Sequence, residues 1–375
     1  MKKKKILKII IGIFLLLAIL VWGGYSMKGS IIPLFFRVQE PVDVDQGVKK
    51  GEKELDEIDI EIIAEDLGVP WEIAFLSDDS ILISQRGGSL LRVSSGEIES
   101  IAEVRSVGEG GLLGMALHPD FSNNNFLYLY MTTDEDNRVI RYRLENNDLI
   151  EDKVIISEIP RARFHNGGRI AFGPDGYLYV STGDAQNTQL SQDLNSLAGK
   201  ILRLDENGDY VDDNPFGDYI YSYGHRNPQG LAWDSEDNLW STEHGPTAQD
   251  ELNLIEKGKN YGWPTISGDE KKEDMESPVL QSGYDYTWAP SGMTYFKGSL
   301  YFAGLRGQAI YEAKIEEKDV VDFFVHFKED FGRIRSINLG PDEMFYIITN
   351  NTDGRGSPRE GDDKLIKINP RLFKQ

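Results

Sequence analysis

The chain contains no cysteine in 375 residues. Disulfide staples, thiolate metal sites, a catalytic thiol and a lipid-modified cysteine are all excluded, and the absence fits an exported protein that never depended on disulfides. Positive charge is also scarce: 40 Lys and Arg stand against 62 Asp and Glu, a formal charge of −22. The first 27 residues hold five lysines and no acid, which leaves −27 on the remainder. A nucleic-acid binder needs the opposite sign. Helical spacing of apolar residues is nearly absent, and there is no HExxH, no paired CxxC, no phosphate loop and no nucleophile elbow.

Long apolar runs are missing as well, with one exception. After "MKKKK" the stretch from Ile6 to Trp22 is apolar apart from Lys8 and Gly12, close to the roughly 20 residues a spanning helix needs. The lysines in front orient it with its N-terminus in the cytoplasm, and no small-x-small cleavage site follows. The expectation is a transmembrane anchor over 1–27, a polar tether over 28–58, and a domain over 59–372 on the extracytoplasmic side of the cell membrane.

One unit recurs through that domain: an apolar pair, a turn rich in Pro, Asp, Gly or Asn, then an apolar-aromatic strand. It reads "EIAFLSDDSILIS", "GMALHPDFSNNNFLYLY", "RIAFGPDGYLYVST", "GLAWDSEDNLWSTE", "GMTYFKGSLYFAG" and "SINLGPDEMFYIIT". Equivalent positions (Ala74, Ala116, Ala171, Ala232, Thr294, Asn338) lie 42, 55, 61, 62 and 44 residues apart, a spacing suited to four-stranded propeller blades with variable loops. The segment "DIEIIAEDL" at 59–67 is placed to complete the last blade beside "KLIKINP". The expected fold is all-β, a six-bladed propeller, with a pair of β-sandwiches as the alternative.

His165 precedes the first strand of its unit in "FHNGGRIAF", a polar cluster that a plain hairpin does not need. Asp184 follows across one hairpin, and a carboxylate on one imidazole nitrogen leaves the other free as a base. His118 reads as a turn residue and His326 as core or edge. Arg226, Arg306, Arg333 and Arg335 each flank an inner strand. Several arginines aimed at one channel suggest a ligand with more than one carboxylate or phosphate. Asp250 and Glu251, among glycine-rich turns, offer hard oxygen ligands, which leaves calcium open.

Together, "GEGGLLGMALHPDF", "HNGGRIAFGPDGYLYVSTGDA", "GHRNPQGLAWD", "EHGPTAQDELNLIEKGKNYGWP", "APSGMTYF" and "GRIRSINLGPDEMFYI" resemble the soluble pyrroloquinoline quinone (PQQ)-dependent aldose sugar and glucose dehydrogenases, grouped with sorbosone dehydrogenases. The resemblance covers roughly residues 65 to 370. It implies a six-bladed propeller with the quinone in its central pocket, His165 as general base and Asp184 as the carboxylate that orients it. It also implies that Arg226, Asn227, Thr287, Arg306, Arg333 and Arg335 contact the quinone. Gly245 and Pro246 would give backbone carbonyls to the calcium on the quinone, and Glu251 with Tyr261 would hold a second, structural calcium. The implied reaction oxidises an aldose at its anomeric hydroxyl to the lactone, with proton abstraction by the histidine and hydride transfer to the quinone. An external acceptor, a membrane quinone or a cytochrome, then reoxidises the quinol.

Three positions depart from the family. Glu109 stands at the cofactor where relatives often have glutamine, and a carboxylate beside an anionic cofactor needs an offsetting cation. Arg306 replaces a lysine of some relatives, and Phe164 an aspartate of some glucose-active ones, so substrate preference does not transfer. A calcium-dependent propeller lactonase and a non-catalytic propeller that binds sugars or a partner are the alternatives.

Overall fold

In the computed structural model, which describes residues 59–93, 96–145 and 147–373, the six units become six four-stranded antiparallel sheets. Their innermost strands are Pro70–Phe75, Leu112–Leu117, Ile170–Phe172, Pro228–Trp233, Pro290–Phe296 and Ile334–Leu339. We number the blades one to six in that order. Every marker position from Ala74 to Asn338 falls on an innermost strand, so the repeat read from sequence is the repeat of the blades. The architecture is a six-bladed β-propeller, and separate sheets in a ring replace the sandwich alternative.

Middle strands such as Leu178–Ser181 and Phe345–Thr349 are buried on both faces, which accounts for their near-continuous apolar runs. The apolar core is divided among the joints between blades. Leu82 and Leu90 meet Leu127 and Leu129 between blades one and two, and Trp240 and Leu252 meet Trp288 and Phe302 between four and five. The ring closes as expected: strand Ile60–Ala64 pairs with Leu365–Ile368 in the sixth sheet, Ile60 opposite Ile368 and Ile62 opposite Ile366. This pairing gives the sixth sheet its fourth strand and clasps the ring.

The hairpin after His165 also forms as read. Ile170 pairs with Val180 and Phe172 with Leu178, and the Gly173–Gly176 turn is closed by Gly173 N–H to Tyr177 O at 2.9 Å.

The membrane expectation is corrected. Residues 1–27 and the tether at 28–58 lie outside the described residues. Among the described residues no helix is long and apolar enough to cross a membrane. The α-helix at Phe121–Asn124 has four residues, against the roughly 20 that a crossing needs. A single-pass membrane location is therefore withdrawn.

Candidate active site

The polar cluster before blade three is a backbone device for presenting one side chain. His165 has φ +61°, in the left-handed region that a non-glycine residue rarely adopts. Gly167 follows at φ +62°, and a Cβ there would lie 2.5 Å from the Ser181 carbonyl oxygen, so only glycine fits. Asn166 ties the bend from inside: its side chain accepts from Ala162 N–H at 3.0 Å and donates to Ala162 O at 2.9 Å. Gly183 sits so close to the bend that a Cβ would fall 2.0 Å from His165 O. The glycines bring two chain segments together, and with them His165 and Asp184.

His165 Nδ1 lies 2.8 Å from Asp184 Oδ1. Asp184 is fully buried, while the imidazole keeps 20% of its side chain exposed. The carboxylate also accepts from Gln186 N–H at 2.8 Å and from the Trp263 indole at 2.9 Å. On the other side of the ring, Arg226 Nη2 is 3.0 Å from His165 Nε2. A guanidinium can only donate, so Nε2 accepts, and the ring proton sits on Nδ1 facing Asp184. The imidazole is held in the tautomer a base requires.

Arg226 is itself fixed. Its N–H donates to Glu243, whose other oxygen meets His225 Nδ1 at 2.9 Å, and Nη1 donates to His244 O at 3.1 Å. Burial lowers the Arg226 guanidinium, with Asp184 and Glu243 opposing. Asn227 accepts from Gly167 N–H at 3.0 Å.

Across the channel, Arg333 pairs with Asp353 at 2.8 Å. Arg335 donates to Gln229 Oε1 at 2.8 Å and Asn350 Oδ1 at 2.9 Å, and burial pulls it down to about 9. Arg306 is exposed at the rim, on a cavity of about 120 Å³ shared with Arg333, Asn351 and Arg355. Arg86 Nε, Arg226 Nε, Arg333 Nε, Asn227 Nδ2 and His244 Nε2 are buried without a hydrogen-bond partner. The three guanidinium nitrogens and the Asn227 amide are donors, and unpaired buried donors are rare, so four around one channel call for an acceptor-rich ligand.

Sequence reading missed Arg86, Glu243, His244 and Trp263. A signal for two of them existed. Arg86, Asp184, His244 and Arg306 all stand just past the second strand of their blades, so aligning the units on that strand would have exposed Arg86 and His244.

Glu109, expected at the cofactor, has both oxygens engaged by protein. Oε2 accepts from His165 N–H at 3.0 Å, and Oε1 meets Arg355 Nη1 at 2.7 Å. Burial would raise this carboxyl, but His244, the His165 amide and Arg355 outweigh it and hold it at about 2.

Gly245, Pro246, Glu251 and Tyr261 line one small gap of about 10 Å³, shared with Arg226 and His244, room for about one water-sized sphere. Among the described residues no group of three or more His, Asp or Glu is placed to hold a metal, so any ion here depends on backbone carbonyls. Burial, then Glu243, pushes Glu251 up to about 8, and a cation in the gap would relieve that cost. The Tyr261 hydroxyl is spent on Leu254 O at 2.5 Å, which leaves its main chain for any such contact. Asp250, a ligand candidate by sequence, is used otherwise: it accepts from Gly245 N–H at 2.9 Å, Thr287 Oγ1 and Trp288 N–H at 2.7 Å, and Ala289 N–H at 2.8 Å. Thr287, expected at the quinone, thus turns its hydroxyl to Asp250.

The profile of the Glucose / Sorbosone dehydrogenase family matches residues 67–365. An aldose sugar dehydrogenase of Escherichia coli (strain K12) is 31% identical over 84% of this chain and 93% of its own length. The PQQ-bound aldose sugar dehydrogenase of Streptomyces coelicolor superposes with a TM-score of 0.78 at 38% identity, over 82% of this chain and 97% of that one. The soluble aldose sugar dehydrogenase of Escherichia coli in its apo-form gives 0.75 at 30% identity, over 83% and 99%.

Proposed function

The chain belongs to the glucose/sorbosone dehydrogenase family, and on that footing we propose that it is a PQQ-dependent sugar dehydrogenase that oxidises an aldose at its anomeric hydroxyl to the lactone. The observation that carries the reading is the His165–Asp184 pair beside four buried donors with no protein partner. PQQ bears three carboxylates, and guanidinium forks suit a polyanion. Arg86, Arg226, Asn227, Arg306, Arg333 and Arg335 would hold it. Gly245 and Pro246 would offer carbonyls to a calcium beside it, and Glu251 with the Tyr261 main chain would serve a second calcium.

When bound, the quinone supplies an electrophilic carbonyl carbon that takes up hydride. Once the sugar hydroxyl displaces Arg226 Nη2 from the Nε2 lone pair, His165 Nε2 accepts the proton of the anomeric hydroxyl, a role its tautomer allows. Asp184 stabilises the imidazolium that results, and the Trp263 indole keeps that carboxylate in place. Arg226, 3.0 Å from Nε2, brings fixed positive charge to where negative charge develops. Both electrons leave to an external acceptor, which each turnover requires.

The test is a titration of the purified, cofactor-free chain with PQQ, with and without calcium, followed by dye reduction over a panel of aldoses. Dye reduction that needs both PQQ and calcium is expected. No PQQ binding under either condition would sink the reading.

A further inference from the structure

We propose that Glu109 is a positioning residue for His165 and not a cofactor contact, and that Arg355 completes the same device from the opposite side of the site mouth. The inference rests on the reading of His165 as the base.

Glu109 lies in "GEGG", where glycine permits an unusual approach. Gly108 has φ +65°, and a Cβ on it would fall 2.1 Å from Arg163 O. The turn presses against the segment that carries the base, with Glu109 N–H on Arg163 O at 2.8 Å. From there Oε2 reaches the His165 N–H at 3.0 Å. That amide belongs to the left-handed residue, whose carbonyl is fixed by Ala185 N–H at 3.1 Å. Both peptide groups flanking the strained Cα are therefore pinned, which holds a conformation that costs about 1–3 kcal/mol when unsupported.

The second oxygen sets the choice of carboxylate. Arg355, 246 positions away in sequence, meets Oε1 at 2.7 Å, and its guanidinium lies 5.1 Å from the Phe164 ring centroid. Glu109 thus faces two donors, and a carboxylate accepts from both. A glutamine has one acceptor oxygen, and its amide N–H₂ would face either the His165 N–H or the Arg355 guanidinium. Arg355 also supplies the cation that a carboxylate near an anionic cofactor needs. Glu109, Arg355 and Phe164 form a strap tying blades two, three and six at the mouth.

The experiment compares Glu109→Gln, Arg355→Gln and the double variant by PQQ affinity, by kcat and KM, and by the NMR signal of the His165 Nδ1 proton in cofactor-free protein, which reports the bond to Asp184. The charged groups facing that ring are Asp184 and Arg226, with Glu109 and Arg355 behind its backbone. Glu109→Gln should lower kcat on the order of ten- to a hundredfold, as sub-ångström misplacement of a base does, with PQQ affinity unchanged. Arg355→Gln should lower kcat in the same sense, and the double variant should be no worse than Glu109→Gln, because both act through one carboxylate. The His165 Nδ1 proton signal should move upfield in both single variants as the bond to Asp184 lengthens. An unchanged signal in both variants overturns the proposal. So does a Glu109→Gln enzyme with weakened PQQ binding but full kcat at saturating cofactor. If the unaltered chain binds no PQQ, the functional reading fails, while the Nδ1 proton signal still decides whether the strap positions His165.

Discussion

Trp263 donates its indole N–H to Asp184 Oδ2 at 2.9 Å, from 79 positions further along the chain. The buried carboxylate thereby has a partner on each oxygen, and the one facing His165 cannot rotate away. Trp263→Phe keeps the ring beside Arg226 but removes the donor. It should destabilise the protein by about 1–3 kcal/mol and lower kcat more than it raises KM, read from urea melts and steady-state kinetics. Unchanged kcat would mean that Asp184 needs no second anchor.

His165→Ala should abolish turnover and leave PQQ affinity near that of the unaltered protein. Asp184→Asn should cost on the order of 10²–10⁴ in kcat, since an amide cannot stabilise the imidazolium and permits the wrong tautomer. Residual turnover above a tenth in His165→Ala would place the base elsewhere, and in Asp184→Asn would mean that the base needs no carboxylate behind it.

Arg335→Ala removes a buried cation that Asn350 and Gln229 hold at 2.9 and 2.8 Å. Its expected signature is the opposite of that for His165→Ala: weaker PQQ binding, measured by absorbance titration, with kcat recovered at saturating cofactor.

Asp250→Asn tests the support beneath the calcium gap. The carboxylate takes four donors from two loops, and the amide loses one acceptor while adding a donor where none is wanted. A loss of at least about 3 kcal/mol is expected, given 1.5–3 kcal/mol for each bond to a charged group. The calcium needed for half-maximal activity should rise in parallel.

Lys200 gives a pH signature. Its Nζ is buried among the carbonyls of Leu190, Ser191 and Ala198 at 2.8, 3.1 and 2.6 Å. Burial pushes it down to about 7, with Asp193 and Asp218 opposing. The folded value lies below the unfolded one of about 10.4, so between those pH values the unfolded chain binds more protons and stability rises with pH. Below about 7 both states are protonated and this contribution to the slope vanishes. Lys200→Met should flatten the rise between pH 7 and 10 in denaturant midpoints, and an identical slope in the variant would contradict the assignment.

What the sequence made legible was periodic or local. Six turn-and-strand units, the Gly173–Gly176 hairpin among them, repeat one pattern that burial of the middle strands enforces, and the closing segment at 59–67 was legible from its alternation. His165 and Asp184 could be paired because a single hairpin separates them. Contacts across the ring left no such trace: nothing local links Trp263 to Asp184 or Arg355 to Glu109. Composition also could not tell Asp250, whose oxygens take three backbone N–H groups and the Thr287 hydroxyl, from its neighbour Glu251, which lines the gap while accepting from Gly268 N–H and Asn253 Nδ2. The two are adjacent acids, and only the third dimension decides which one reaches the gap.

The last sheet contains the chain's strand Ile60–Ala64, first among the described residues, and its last, Leu365–Ile368. During synthesis the early strand has no partner until the ribosome has made almost everything else, and such long-range pairing is slow. Arg335 lies in the innermost strand of that same sheet, and Arg333 immediately precedes it, so on the proposed reading part of the wall that would hold the cofactor sits in the sheet that this long-range pairing completes. A product truncated before them would carry the histidine and its aspartate yet lack two of the arginines proposed to hold a polyanion. Cofactor retention would then separate finished molecules from fragments before any sugar is met.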